Sequence, residues 1–289
     1  MIVLDARVPS NLAEPPRVEL VHRCRAGLLI KSGAMHVLHL TDPHLYGNAS
    51  GNLRGVETDS SLRNVLDDAL GSDAPEYAAV LVTGDLVQDD PAGYQRFKSV
   101  LGSLDMPVLC IPGNHDEPEA MRNSLGEAPF RYCGTHAIGG WQFVMLNSVD
   151  PGHVGGRLGP DELHRLHADL GRSPAPALVC LHHHPVAMGS RWLDGVGLAD
   201  AEDFWRIIDV HSQVRGIVWG HVHQAYESKR GGVGLYATPS TGAQFLPHSD
   251  RYAVDSRPPA YRRFELLPNG RIVSRLRWVE SAWRQAATR

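Results

Sequence analysis

Seven side chains able to bind divalent cations stand just beyond short apolar runs: Asp42, His44, Asp85, Asn114, His183, His221 and His223. Carboxylate, amide and imidazole donors suit hard and borderline divalent ions. Two such ions about 3.5–4 Å apart can polarise one water and clamp one phosphoryl group, provided a carboxylate bridges them. Asp85 fits the bridging place, because Gly84 before it lets the backbone approach the ions closely. His221 and His223 are two residues apart, so on an extended segment they point to opposite sides and can serve different ions.

The elements that must position these groups follow from the apolar pattern. Residues 36–40 run into Thr41-Asp42-Pro43-His44, 78–82 into Gly84-Asp85, and 107–111 into Gly113-Asn114-His115-Asp116. Residues 142–146 precede Asn147-Ser148, 177–181 precede His182-His183-His184-Pro185, and 216–219 precede Gly220-His221-Val222-His223. Runs of about five apolar residues before a Gly/Pro-rich break read as buried strands. Polar groups past the carboxyl ends of such strands are where α/β proteins place their sites. Helical stripes fill the gaps: Leu62, Val65, Leu66, Ala69 and Leu70 behind the N-cap candidates Thr58, Asp59 and Ser60; Tyr94, Phe97, Leu101 and Leu104; Leu163, Leu166 and Leu170 opening at Pro160; and Ala201, Phe204, Trp205 and Ile208. After residue 230 strand-like pieces take over at 233–237, 261–267 and 271–279, the last two joined by a Pro268-Asn269-Gly270 turn. The expectation is a layered α/β domain over 35–280, preceded by a poorly ordered extension, or an over-long start, at 1–34 and followed by a short tail at 281–289.

Composition sets the outer limits. The chain's 289 residues can bury one large core, and 43% hydrophobic with 21% charged residues is ordinary globular usage. A net charge of −4 carries no nucleic-acid footprint. The longest apolar run, Tyr77 to Val82, is too short to span a membrane, and the start of the chain lacks the pattern of a secretory signal. Cys24, Cys110, Cys133 and Cys180 are scattered, as in a protein of the reducing cytoplasm. Arg262, Arg263, Arg271, Arg275 and Arg277 alternate with apolar residues and read as a solvated sheet face, and Trp192, Trp205, Trp219 and Trp278 as core or strand aromatics.

Taken in order, Asp42-Pro43-His44, Gly84-Asp85-Leu86-Val87-Gln88-Asp89, Gly113-Asn114-His115-Asp116, His183-His184-Pro185 and Gly220-His221-Val222-His223 resemble the five blocks of the calcineurin-like metallophosphoesterase superfamily. The segments 190–194, 220–224 and 237–241, with Gln244, Phe245 and Pro247, are similar to its bacterial class III cyclic nucleotide phosphodiesterases. The resemblance implies a two-sheet β-sandwich flanked by helices, with the metal site on strand-end loops. It implies a first metal on Asp42, His44, Asp85 and His223 and a second on Asp85, Asn114, His183 and His221, the metals being iron or manganese. The family's ligand stands two residues before the proline, which selects His183 and leaves His182 and His184 as packing or supporting residues. Asn147 stands where the family usually has aspartate, in a supporting place.

The implied reaction is hydrolysis of 3′,5′-cyclic AMP to 5′-AMP by a hydroxide bridging the two metals. His44, Asp85, Asn114, His115 and His223 would lie against the phosphate, and His115 would protonate the leaving oxygen. Either Asp89 or Asp116 is the carboxylate that tunes His115; Asp89, with Asp90 and Pro91, reads equally well as a helix start. Thr238 to Thr241 and Gln244 either shape the nucleoside side or stabilise a turn. The partner is a small cyclic nucleotide rather than nucleic acid or membrane. The alternatives are a broad-specificity diesterase acting on 2′,3′-cyclic nucleotides or other diesters, or an inactive scaffold.

Overall fold

A computed structural model describes residues 33–280. The expected tail at 281–289, and the expected extension up to residue 32, lie outside the described residues. In chain order the elements are β1 (Met35–Leu40), β2 (Asn52–Leu53), β3 (Val56–Glu57), α1 (Thr58–Ala69), β4 (Tyr77–Thr83), α2 (Gly93–Leu101), β5 (Val108–Ile111) and α3 (Pro118–Ser124). They continue as β6 (Phe130–Tyr132), β7 (Gly134–Ile138), β8 (Trp141–Met145), α4 (Gly159–Gly171), β9 (Ala177–Cys180), α5 (Arg191–Asp194), α6 (Ala201–Val210) and β10 (Val214–Trp219). The chain then forms β11 (Tyr226–Arg230), β12 (Val233–Ala237), β13 (Gln244–Phe245), β14 (Val254–Asp255), β15 (Ala260–Leu266) and β16 (Ile272–Trp278).

Two six-stranded sheets result, ordered β16-β15-β1-β4-β5-β6 and β11-β12-β10-β9-β8-β7. The alternation of side chains explains their stacking. In β1, Val37 faces an apolar layer with Leu109, Phe143, Val218 and Phe264, drawn from both sheets. Leu38 and Leu40 face the opposite way and pack with Leu62, Val65 and Phe97 of α1 and α2. The second sheet does the same, sending Val179 and Ile217 outward to Leu166, Phe204 and Ile208 of α4 and α6. Helix, sheet, sheet and helix layers follow, the sandwich that the resemblance implied.

The four expected helices form, but two stripes end early: Leu70 caps α1 and is exposed, and Leu104 lies in the turn after α2. α1 takes Glu57 as its N-cap and draws Thr58, Asp59 and Ser60 into its first turn. Residues 89–91 do not start a helix: α2 begins at Gly93, and Asp90 accepts the Ala92 and Gly47 amides in the preceding turn. The arginine alternation on β15 and β16 is corrected at Arg262. It shares a strand face with Phe264 and is only 2% exposed, inside the sandwich rather than on a solvated face. Among the described residues no helix is long and apolar enough to cross a membrane, and Cys110, Cys133 and Cys180 are free thiols.

Candidate metal centre

Strands β1, β4 and β5 are parallel neighbours, as are β9 and β10 in the other sheet. Their carboxyl ends therefore deliver five loops to one edge of the sandwich. The backbone there is unusual. Asp42 (φ 52), His44 (φ 48), Asp85 (φ 49), His221 (φ 66) and His223 (φ 47) all occupy the left-handed region. For non-glycine residues this costs about 1–3 kcal/mol each, and it persists only where surroundings enforce it. Here the enforcement is visible: the Asp42 and His44 amides donate to the Gly84 and Asp85 carbonyls at 3.1 and 2.9 Å, and Ser240 Oγ donates to the Asp42 carbonyl at 2.7 Å. Gly113 and Gly220 allow close approach: a Cβ would stand 2.2 Å from Asp85 Oδ1 at the first and 2.0 Å from Thr41 Oγ1 at the second.

Two donor clusters meet at Asp85. In the first, His44 Nε2 lies 3.1 Å from His223 Nε2 and 3.7 Å from Asp85 Oδ2, and His223 Nε2 lies 3.4 Å from Asp42 Oδ1. His223 donates Nδ1–H to the Ala243 carbonyl at 2.7 Å, so its Nε2 presents a lone pair. In the second, His182 donates Nδ1–H to the Thr83 carbonyl at 2.7 Å and turns Nε2 toward Asp85 Oδ2 at 3.4 Å and Asn114 Oδ1 at 3.3 Å. His221 Nδ1 lies 3.0 Å from the same Asn114 oxygen. His183, expected to face the centre, instead turns Nδ1 to Ser148 Oγ (2.8 Å) and Nε2 to the Val154 carbonyl (3.2 Å). The side chain turned toward Asp85 is that of its neighbour His182, because β9 continues its alternation. Leu178 and Cys180 face the layer between the sheets, and His182 is next in that series, whereas Val179 and Leu181 face α4 and α6.

These donors fit a cation. The Nε2 lone pair of His223 points at the Asp42 carboxylate, acceptor against acceptor, an arrangement that a cation between them would relieve. Burial disfavours a charge on His182, but the Asp85 carboxylate outweighs it and raises that imidazole to about 9, so a cation there would take the place of its Nε2 proton. His44 Nδ1 and His221 Nε2 are buried without a hydrogen-bond partner. Ligand atoms of Asp42, His44 and His223 fall within 4.8 Å of one another, as do those of Asp42, Asp85 and His182, and of His182, His183 and His221. The electrostatics agree. Burial lowers the His44 imidazole to about 4 and pushes His221 well below its ordinary value, so both rings are neutral, the form able to accept a cation. Burial works against ionisation of Asp85, but the imidazoles of His182, His44 and His115 outweigh it and hold that carboxyl well below the usual range.

His115 sits at the rim. Its ring is edge-on to His44 at 5.2 Å, and its main-chain amide donates to Asp85 Oδ1 at 2.9 Å. Its Nδ1 lies 3.0 Å from Asp89 Oδ1, and Gln88 Nε2 donates to Asp89 Oδ2 at 2.8 Å. Asp89 is thus the carboxylate beside His115. Asp116 is a buried staple: it accepts the Leu86, Val87 and Gly113 amides at 3.0, 3.3 and 2.9 Å and the Tyr94 hydroxyl at 3.0 Å, tying the Asp85 loop to the Asn114 loop. Burial, with the charge of Asp85, raises its carboxyl to about 7. Gln244 and the 238–241 segment do form a turn. Gln244 accepts the Ser240 amide at 3.0 Å and donates to the Ser240 and Gly242 carbonyls at 2.8 and 3.0 Å, closing a turn behind Asp42. Asn147 accepts the Val149 amide at 3.0 Å in a turn of its own. A cavity of about 170 Å³ is lined by Asp89, Asn114 and His115 at the rim of the centre, and a larger one of about 820 Å³ lies beyond His184, whose ring stacks on His221.

Residues 35–225 match the calcineurin-like phosphoesterase family. The chain belongs to that family. It is a hydrolase of phosphoesters, and its loops carry the family's five blocks on the edge just described. It is 36% identical over 255 residues, 87% of its length and 93% of the relative's, to a 3′,5′-cyclic adenosine monophosphate phosphodiesterase, CpdA, of Vibrio vulnificus (strain CMCP6). The CpdA of Haemophilus influenzae (strain ATCC 51907 / DSM 11121 / KW20 / Rd) is 34% identical over 250 residues, covering 85% of this chain and 90% of that one. A dimetal phosphatase from Danio rerio superposes with a TM-score of 0.63 at 14% identity, covering 85% of this chain and 96% of that one, which supports the fold.

Proposed function

We propose that this phosphoesterase opens the ring of 3′,5′-cyclic nucleotides, cyclic AMP foremost, to the 5′-monophosphate at a centre of two divalent cations, iron or manganese. The observation that carries the reading is the pair of buried donor clusters joined at Asp85. The substrate class is supported by relatives bearing that activity in their names and matched over nine-tenths of their length.

Asp42, His44, Asp85 and His223 would hold one cation, and Asp85, Asn114, His182 and His221 the other. His182 replaces His183, whose two nitrogens are engaged elsewhere. When bound, such ions supply Lewis acidity, bringing the pKa of water down to about 7 and drawing charge off phosphoryl oxygens. The chain's own residues do the rest. Burial of Asp42, His44, Asp85 and His223, none more than 3% exposed, keeps bulk water from competing. His44, Asp85, Asn114, His115 and His223 surround the phosphate. As the P–O3′ bond breaks, His115 Nε2 delivers a proton to the departing 3′ oxygen, while Asp89 accepts Nδ1–H and fixes the ring. The His115 amide bond to Asp85 ties this acid to the shared carboxylate.

The test is kcat/KM on manganese-supplemented enzyme for 3′,5′-cyclic AMP against 2′,3′-cyclic AMP, with the product identified by phosphorus NMR. A higher value for the 3′,5′ ring, yielding 5′-AMP, is expected. A preference for the 2′,3′ ring, or no turnover of either, would overturn the reading.

A further inference from the structure

Among the described residues, a line of polar side chains crosses the apolar layer between the sheets. Arg262 of β15, 2% exposed, donates from Nε to Thr238 Oγ1 at 3.3 Å. Thr238 Oγ1 is 2.6 Å from His39 Nδ1, and His39 Nε2 is 2.8 Å from Thr83 Oγ1. Thr83 Oγ1 is 2.9 Å from Thr41 Oγ1, which is 2.6 Å from Asp42 Oδ2. The two ends dictate the direction of every link. A guanidinium only donates and a carboxylate only accepts. Thr41 must therefore give its hydroxyl proton to Asp42, Thr83 its own to Thr41, His39 its Nε2–H to Thr83, and Thr238 its own to His39 Nδ1. The tautomer of a fully buried imidazole is thereby fixed from both sides. At the outer end Arg262 pairs with Glu227 at 2.9 Å and donates to the Ala237 carbonyl at 2.8 Å, so its orientation is fixed too.

We infer that His39 and Arg262 are positioning residues for the first cation site, acting through the three threonines to hold Asp42 as a one-oxygen ligand. The inference rests on the proposed ligand role of Asp42. With Oδ2 taken by Thr41 and the His221 amide reaching both oxygens at 3.1 Å, Oδ1 is the oxygen left to face His223. Partners that orient a ligand in this way typically change metal affinity about 10–100-fold when removed. Burial, reinforced by Arg262, brings the His39 imidazole down to about 3, so the relay keeps its single direction throughout the working pH range.

The experiment is calorimetric titration of the full chain with Mn²⁺, read for each site separately. His39→Leu breaks the line in the middle and lowers affinity at the first site about 10–100-fold, leaving the second site unchanged. His39→Gln restores it to within a few-fold, because an amide can accept from Thr238 and donate to Thr83. Thr83→Val and Thr83→Ser repeat the loss and the rescue, and decide the matter should His39→Leu fail to fold. Asp42→Asn separates the two levels. If it leaves both affinities intact, the ligand role of Asp42 is wrong. If it abolishes the first site while folded His39→Leu and Thr83→Val bind like the parent, or if the Gln and Ser variants do not rescue, the relay is wrong.

Discussion

Asp116 gives the sharpest test of how the loops are assembled. Its carboxylate accepts three amides, from Leu86, Val87 and Gly113, and the Tyr94 hydroxyl, all in a place only 7% exposed. Asp116→Ala removes every one of these acceptors and leaves three amides without a partner. An orphaned buried donor costs about 1–3 kcal/mol, so even the lower figure gives a loss of about 3 kcal/mol. For a protein of this size each kcal/mol moves Tm by about 2–4 °C, so the expected drop is about 6–12 °C. Asp116→Asn keeps one acceptor oxygen for the amides and can turn its NH₂ toward the Tyr94 oxygen, so it loses about half as much. Differential scanning calorimetry of the three proteins checks this. A Tm for Asp116→Ala within 2 °C of the parent, by about the same conversion, would refute the claim that this carboxylate joins the two loops.

Three further outcomes follow from the same geometry. His115→Ala lowers kcat by about 10²–10⁴-fold, as loss of a general acid does, while atomic absorption finds unchanged metal content; equal losses of both would make His115 a structural part of the metal site. Asp89→Asn, which weakens the hold on His115 Nδ1, lowers kcat by about tenfold with KM little changed, a smaller effect than losing the acid itself; an effect as large as that of His115→Ala would place Asp89 among the groups touching substrate. Manganese at about 100 times its dissociation constant stabilises the fold by about 2.7 kcal/mol per site, seen as a rise in Tm that EDTA reverses; a Tm indifferent to both would contradict a cation site built from these buried donors.

Most of the centre was legible because its residues sit where short apolar runs stop. Asp42, His44, Asp85, Asn114, His221 and His223 each follow a run that ends abruptly, and the parallel strands carry those ends to one edge. The choice within His182-His183-His184 was less legible, because spacing to Pro185 is a family habit and not a physical constraint. The alternation Leu178, Cys180, His182 was the physical signal, and it selects the residue that faces Asp85. Arg262 was misread for a related reason. Alternating arginines look solvated when a strand is taken alone, but β15 lies between β16 and β1, so one of its faces is the sandwich interior. The left-handed backbone at Asp42, His44, Asp85, His221 and His223 carries no sequence mark; at Asp42 and His44 it is held by contacts with Gly84, Asp85 and Ser240 that only tertiary structure supplies. Strands of two or three residues, such as β2, β3 and β6, are too short for any periodicity to announce them.

The central claim is that one shared carboxylate joins two cation sites, and bound metal per chain measures it most directly. Manganese counted by atomic absorption after loading and desalting should be two per chain in the parent and at most one in Asp85→Asn, by the two-site bridging arrangement. One ion or none in the parent, or an undiminished count in Asp85→Asn, would contradict it.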